Sequence, residues 1–315
     1  MADLSLPVFS TNIGASKAVC FGSLALGTVI STDEYPIQNH GSSVNSVTSY
    51  VFQDAAIVAW LLATSGVNTN FVGSAVGDDE AGKEIVTQLK AGGVNQETKF
   101  SNAFSTPRQY VISDPSGGRT WFAESNDLLL DTMKNADLTC IGNANVLYVD
   151  WYDGEAILAP IGYARENDTP VFLNIEEQFS NDLILDQYVP HASFCQATLD
   201  EKASWDDARR IASVLIDAGA ETALVTFGSH GVFAATRDTS IFVQAPKGLG
   251  IVDTCAAGAT FSAACIGAIL MGSTLREAVI LGTAASSFKC STQGLVSIRS
   301  DEIWTIANEL VFESQ

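Results

Sequence analysis

The sequence predicts an α/β fold: a central, mostly parallel sheet with helices on both faces and a small β appendage. Three observations carry this. Strand-like and helix-like segments alternate for most of the 315 residues. The hydrophobic share, 47%, easily supports a core of that size. Two β-rich runs, RQYVIS and RTWFAE, flank a turn of Asp114, Pro115, Ser116, Gly117 and Gly118, the signal of a hairpin standing off the main body.

Taken in order, AVCFGSLALGTVI at 18–30 reads as a first buried strand broken by Gly22 and Gly27. IQNHGSSVNSVTS at 37–49 is polar with β-branched residues interleaved, as thin strands outside the core would be. DAAIVAWLLATS at 54–65 is a helix with Asp54 as its N-cap and Gly66 just past its end. VNTNFVGSAV is a strand, and GDDEAGKEIVTQLKAGGV gives a turn, a helix and a Gly-Gly stop. The hairpin at 108–124 is expected to join the 37–49 strands in a lid spanning about 28–52 and 104–125. VLYVDWY, PVFLNIE and ASFCQAT are successive core strands. An amphipathic helix at 205–218 precedes the strand-turn-strand ALVTFGSHGVFAAT and the strand IFVQAP. The C-terminal third reads as helices at 260–271, 274–287 and 301–312. No repeat or linker divides the chain, so 1–315 is expected to be a single domain.

The formal charge of −20, from 36 acids against 16 bases, repels nucleic acid and anionic membranes. It leaves room for a nucleotide, because a local cradle of N–H groups overrides a distant field. The six cysteines, at 20, 140, 195, 255, 265 and 290, form no Cys-x-x-Cys pair. They read as reduced, buried thiols of a cytoplasmic protein. The three histidines, His40, His191 and His230, are not spaced for a metal, and no protein metal ligand is expected. MADLSLPVF lacks the basic and apolar regions of a signal peptide, and the apolar run 261–271 is too short to span a bilayer.

The most informative stretch is DTCAAGATF at 253–261, which follows a strand-like run and opens the apolar helix TFSAACIGAILM. Small residues at Ala256, Ala257 and Gly258 let backbone approach a ligand. The first N–H groups of a helix have no intrahelical partner and lie at the positive end of its dipole, so an anion is welcome there.

With these residues the chain resembles the ribokinase/PfkB carbohydrate kinases, over nearly everything from about residue 18 onward. Their signature Asp-Thr-x-Gly-Ala-Gly-Asp-x-Phe stands here as Asp253-Thr254-Cys255-Ala256-Ala257-Gly258-Ala259-Thr260-Phe261. Val225-Thr226-Phe227-Gly228-Ser229-His230-Gly231 resembles the family's nucleotide turn, and Val76-Gly77-Asp78-Asp79-Glu80-Ala81-Gly82 its Val-Gly-x-Asp-x-x-Gly stretch. Phe288-Lys289-Cys290-Ser291-Thr292-Gln293-Gly294 is similar to the segment bordering the adenine pocket. The resemblance implies a three-layer ribokinase-like fold with a β lid, and ATP and Mg²⁺ as cofactors. It also implies phosphoryl transfer to a hydroxyl of a small sugar, polyol or nucleoside. It assigns the nucleotide and its anion hole to Thr226, Gly228, Gly231, Thr254, Ala256, Ala257, Gly258 and Lys289. A homodimer through the lid is a further implication.

The departures fall where the chemistry would be. Position 259, the family's base, is Ala, and loss of a general base costs about 10²–10⁴ in rate. Thr260 and Ser262 are not bases near neutral pH, and Asp253 lies before the cradle. On the acceptor side, the substrate-binding Asp of the family falls at Gly27. Its Gly-Gly-x-x-x-Asn run becomes Phe52-Gln53-Asp54-Ala55-Ala56-Ile57, so Phe52 and Gln53 stand for the glycines and Ile57 for the Asn, and groups that would pair hydroxyls are missing. Asp54 can still serve one hydroxyl, Phe52 can pack on an apolar or flat group, and Arg119 of the hairpin can close over an acceptor. The family's Asn-x-x-Glu motif has no good frame in Gln196-Ala197-Thr198-Leu199-Asp200-Glu201. Two expectations follow: a kinase inactive as written because its base is missing, or a pseudokinase kept as a binding, regulatory or scaffold subunit.

Overall fold

The computed structural model describes residues 15–114, 116–124 and 126–314. Pro115 of the hairpin turn and the N-terminal MADLSLPVF lie outside the described residues.

In chain order the elements are β1 (Lys17–Gly22), β2 (Ala25–Thr32), β3 (Val44–Phe52), α1 (Asp54–Thr64), β4 (Asn68–Gly73), β5 (Val76–Gly77) and α2 (Glu80–Ala91). Next come β6 (Asn95–Gln96), β7 (Phe100–Ser101), β8 (Arg108–Ser113), β9 (Arg119–Ala123), α3 (Asp127–Met133), β10 (Val146–Asp150) and α4 (Leu158–Glu166). They are followed by β11 (Val171–Glu176), α5 (Asp182–Gln187), β12 (Phe194–Thr198), α6 (Trp205–Asp217), β13 (Thr222–Thr226), β14 (Gly231–Ala235) and β15 (Ser240–Gln244). The chain finishes with α7 (Ala257–Leu270), α8 (Leu275–Cys290), α9 (Asp301–Glu309) and β16 (Phe312–Ser314).

The main sheet has ten strands in the order β16-β15-β14-β13-β12-β11-β10-β1-β4-β6. Pairing is parallel from β6 to β13 and antiparallel from β13 to β16. The strand period of two sorts the side chains onto two faces. Cys20, Tyr148, Phe172 and Leu224 pack in one core with α1, α2, α7, α8 and α9. Val19, Leu147, Val149, Leu173 and Cys195 pack in a second core with residues of α4, α5 and α6. The result is three layers, helix on sheet on helix, as expected of a ribokinase-like fold.

Both α1 and α7 are apolar nearly all round, which suits helices enclosed by the sheet and by other helices. Each begins at the C-terminal edge of the parallel strands, and that shared edge builds the site.

The lid is a separate four-stranded sheet in the order β3-β2-β8-β9. The elements of the chain are placed differently from the expectation at three points. The run 18–30 is two strands in two sheets, divided at Ser23 and Leu24, and Gly27 lies inside the second of them. The polar stretch becomes a strand only from Val44, because Pro36, Asn39 in a left-handed conformation (φ 68°) and Gly41 interrupt what precedes it. At the other end, the last helix stops at Glu309, and Phe312–Ser314 returns as an edge strand. Among the described residues no helix is long and apolar enough to cross a membrane.

Candidate active site

Three neighbouring parallel strands carry a polar residue at one level near their C-terminal ends. Asp150 of β10 pairs with Asn174 of β11, and Asn174 pairs with Gln196 of β12. All three are buried, on the face that carries Tyr148 and Phe172 one step earlier. Buried polar side chains need partners, and here the helix starts supply them. The Asp150 carboxylate accepts from the Ala55 N–H at 3.3 Å, in the first turn of α1. Asn174 Nδ2 donates to Asp54 at 3.3 Å and to Glu176 at 2.9 Å. The Ser262 hydroxyl, in α7, donates to Gln196 Oε1 at 2.7 Å. One row of side chains therefore ties the start of α1 to the start of α7.

The start of α7 has the shape of an anion cradle. Ala256 caps it in a left-handed conformation (φ 63°), which turns the chain into the helix. The N–H groups of Gly258 and Ala259 fall in the first turn and have no intrahelical acceptor. A Cβ on Gly258 would meet one group within 4 Å, Gln196 Nε2 at 3.9 Å. That amide nitrogen is buried and has no hydrogen-bond partner among the described residues. The cradle thus has an open face and a side-chain donor with nothing to donate to. Ala259, the position assigned to the family's base, is buried and packs in the apolar core.

Two groups behind the cradle fix its loop. Lys289, which the resemblance assigns to the nucleotide, is engaged inside the protein. It is fully buried, and its ammonium donates to the Asp253 carboxylate (2.9 Å), the Asp253 carbonyl (2.9 Å) and the Thr292 carbonyl (3.3 Å), which uses its three hydrogens. Asp253 in turn accepts from the N–H groups of Cys255 (2.9 Å) and Gly294 (3.3 Å). In front of the cradle, the hairpin of the lid is bonded to the same loop. The Thr254 hydroxyl donates to the Gly117 carbonyl at 3.1 Å, and the Arg119 guanidinium donates to the Thr254 carbonyl at 2.7 Å.

The turn expected to meet the nucleotide lies between β13 and β14. Thr226 exchanges a hydroxyl hydrogen bond with Thr198 at 3.2 Å. Gly228 (φ 50°) is exposed, whereas Gly231 (φ 117°) is held by strand packing, since a Cβ there would stand 2.1 Å from the Val243 carbonyl.

On the acceptor side, the ring of Phe52 covers Gly27, and Ile57 is buried in the core. Gln53, and not Asp54, occupies the N-cap position of α1, with φ 77° and no side-chain cap bond. Asp54 is the first helical residue and half-buried. Carboxylates gather around it. Burial pushes the Asp54 carboxyl up to about 7, and the nearby Glu176 adds to the effect, while Arg119 and Asn174 oppose it. Asp150 is raised well above the ordinary range by burial, then by Asp153 and Asp54. Burial raises Asp153 to about 6, against the pull of the Ser23 N–H that it accepts from.

Sequence reasoning did not single out Asp150, Asn174, Glu176 or the donor role of Gln196. The available signal was a polar residue near the end of each of three otherwise apolar strands, VLYVD, VFLNIE and FCQAT.

Among the described residues no group of three or more His, Cys, Asp or Glu could hold a metal ion. Mg²⁺ does not need such a cage, since it commonly keeps its waters and binds through phosphates and one or two carboxylates. The donor set at the start of α7 fits a nucleotide's phosphate tail: two backbone N–H groups, an unpartnered amide and an open glycine face.

Over 286 residues, covering 88% of this chain and 91% of the relative, the chain is 24% identical to a nucleoside kinase of Methanocaldococcus jannaschii. It is 32% identical to a ribokinase of Haemophilus influenzae over 141 residues, 42% of this chain and 45% of that one. Among solved structures, the Methanocaldococcus jannaschii nucleoside kinase superposes with a TM-score of 0.74 at 21% identity, covering 93% of this chain and 98% of the other. Arabidopsis thaliana ribokinase, solved with ribose and ATP, superposes at 0.69 and 18%, covering 93% and 98%. The pfkB family carbohydrate kinase model matches residues 16–301, and this chain belongs to that family.

Proposed function

We propose that this chain binds Mg·ATP at the start of α7 and transfers its terminal phosphoryl group to a hydroxyl of a small sugar, polyol or nucleoside. The observation that carries the reading is the unpartnered, buried Gln196 amide beside the open face of Gly258. A buried donor without an acceptor is costly unless a ligand supplies one. When bound, Mg·ATP would supply the phosphoryl group and a cation that offsets its negative charge.

The chain's own residues supply the rest. The Gly258 and Ala259 N–H groups and Gln196 Nε2 face the phosphate tail. Thr226 and Gly228 border the nucleotide. Arg119 and Gly117, bonded to Thr254, tie the lid to the loop of the cradle. Phe52 lines an acceptor pocket less suited to hydroxyl pairing than a Gly-Gly-x-x-x-Asn run would give.

Calorimetric titration with Mg·ATP, followed by a phosphate-transfer assay over a panel of sugars, polyols and nucleosides, tests the reading. Binding with turnover on at least one acceptor supports it. One observation favours a second reading: Ala259 offers no proton acceptor where the family's base is expected, as in a pseudokinase acting as a binding or regulatory subunit. Tight Mg·ATP binding with no turnover on any acceptor would favour that subunit role.

A further inference from the structure

We propose that Asp54 is the general base of this chain, taking the proton that a methyl group at 259 cannot take. The inference rests on the kinase reading above.

Two routes place Asp54 beside the cradle. The first runs through the sheet. Asn174 holds the Asp54 carboxylate at 3.3 Å and stands in register with Gln196, one strand spacing away, about 4.8 Å. The Gln196 amide lies 3.9 Å from where a Cβ of Gly258 would stand. The second runs through the lid. Arg119 bonds to the Thr254 carbonyl and acts electrostatically on Asp54. This carboxylate is therefore bonded to the strand beside the one that carries Gln196, on the side where Arg119 meets the cradle loop.

Asp54 is also the carboxylate free to act. Its Oδ2 accepts from Asn174, and among the described residues no hydrogen bond engages Oδ1, which is not among the fully buried atoms. The neighbouring aspartates are set apart by depth: Asp150 Oδ1 and Asp153 Oδ1 also accept no hydrogen bond among the described residues, but both are buried. Asp150 is buried against the Ala55 N–H, and Asp153 is buried against the Ser23 N–H. Asp253 is paired with Lys289. Glu176 takes the closer of the two Asn174 bonds, at 2.9 Å, from a backbone held at φ 49°.

The step balances. The acceptor oxygen forms a bond to the γ-phosphorus as the bond from that phosphorus to the β–γ bridging oxygen breaks. ADP leaves with that electron pair, and the hydroxyl proton passes to the Asp54 carboxylate. A carboxyl raised to about 7 is matched to proton transfer near neutral pH. The groups that face it and set its titration are Glu176 and Asn174 of β11, Asp150 and Tyr148 of β10, Tyr152 just beyond that strand, and Arg119 of β9.

The test compares wild type, Asp54→Asn, Glu176→Gln and the double variant Asp54→Asn/Ala259→Asp, each with Mg·ATP affinity and a kcat–pH profile. Wild-type kcat should rise with pH through an apparent pKa near 7. Asp54→Asn should lose about 10²–10⁴ in kcat and that limb of the profile, with Mg·ATP affinity within about twofold. Glu176→Gln should move the limb to lower pH. In the double variant a carboxylate at 259 should recover at least about tenfold in kcat. Turnover of Asp54→Asn within a few-fold of wild type overturns the base assignment and leaves the kinase reading standing. A wild type that is silent, while Ala259→Asp alone turns over, also overturns it. Silence of both with nucleotide bound removes the kinase reading, and the base with it.

Discussion

The ring of Phe52 fills the space into which a side chain at residue 27 would grow. A Cβ on Gly27 would stand 1.9 Å from the ring's Cδ1. In sequence these look like two separate losses, an acceptor Asp at 27 and a glycine at 52. In space they are one exchange across the β2–β3 pair of the lid, an aromatic ring for a carboxylate.

That exchange predicts coupling. Gly27→Ala alone overpacks the site and should cost about 1–3 kcal/mol. Phe52→Ala alone removes a buried ring and should cost about 3–5 kcal/mol. The double variant should cost less than the sum by about 0.5–3 kcal/mol, because the new methyl group enters the space the ring leaves. Urea denaturation of the four proteins measures this, and strict additivity would show that the two positions do not share the space.

The buried ion pair behind the cradle makes a second prediction. Lys289 and Asp253 meet at 2.9 Å with side chains 0% and 2% exposed. Lys289→Met leaves the Asp253 carboxylate uncompensated and should cost about 3–5 kcal/mol of stability. Denaturant titration reads the loss. A variant that keeps its stability but fails to bind Mg·ATP would put the ammonium on the nucleotide instead.

Asp54 gives a pH prediction. Its carboxyl is raised from 3.8 to about 7, so the folded state holds this proton more tightly than the unfolded state. Stability then falls as pH rises from about 4 to about 7, the opposite of an ion-paired aspartate. Asp150 and Asp153 shift in the same direction. The melting temperature of wild type should fall across that window, and Asp54→Asn should flatten the slope. An unchanged slope would place the titration on the two deeper carboxylates. The same feature links stability to chemistry, because the pH that frees the carboxylate as a base is the pH at which it destabilises the fold.

Much of the architecture was legible, and for identifiable reasons. VLYVD and VFLNIE are apolar enough to need a sheet interior, and DTCAAGATF announces a helix start by its small residues. The site was legible only in part. The Asp150–Asn174–Gln196 row exists only once strand register is known, since its members are 24 and 22 residues apart in chain number. Along the chain Gln196 sits in a stretch with no good Asn-x-x-Glu frame, while its neighbours in space are Ser262 and Gly258. The resemblance assigns Lys289 to the nucleotide, whereas its ion-pair partner lies 36 residues earlier. The strand-like run at 18–30 hid a change of sheet at Ser23 and Leu24, since the burial of its residues does not change there.

The most direct measurement concerns the cradle. Titrate wild type and Gln196→Glu with Mg·ATP and with adenosine, which lacks the phosphate tail. If the Gln196 amide faces the phosphates, the carboxylate should weaken Mg·ATP by at least about ten- to a hundredfold and leave adenosine unchanged. Equal affinity of both proteins for Mg·ATP, or no binding of it to wild type, would contradict a phosphate site at the start of α7.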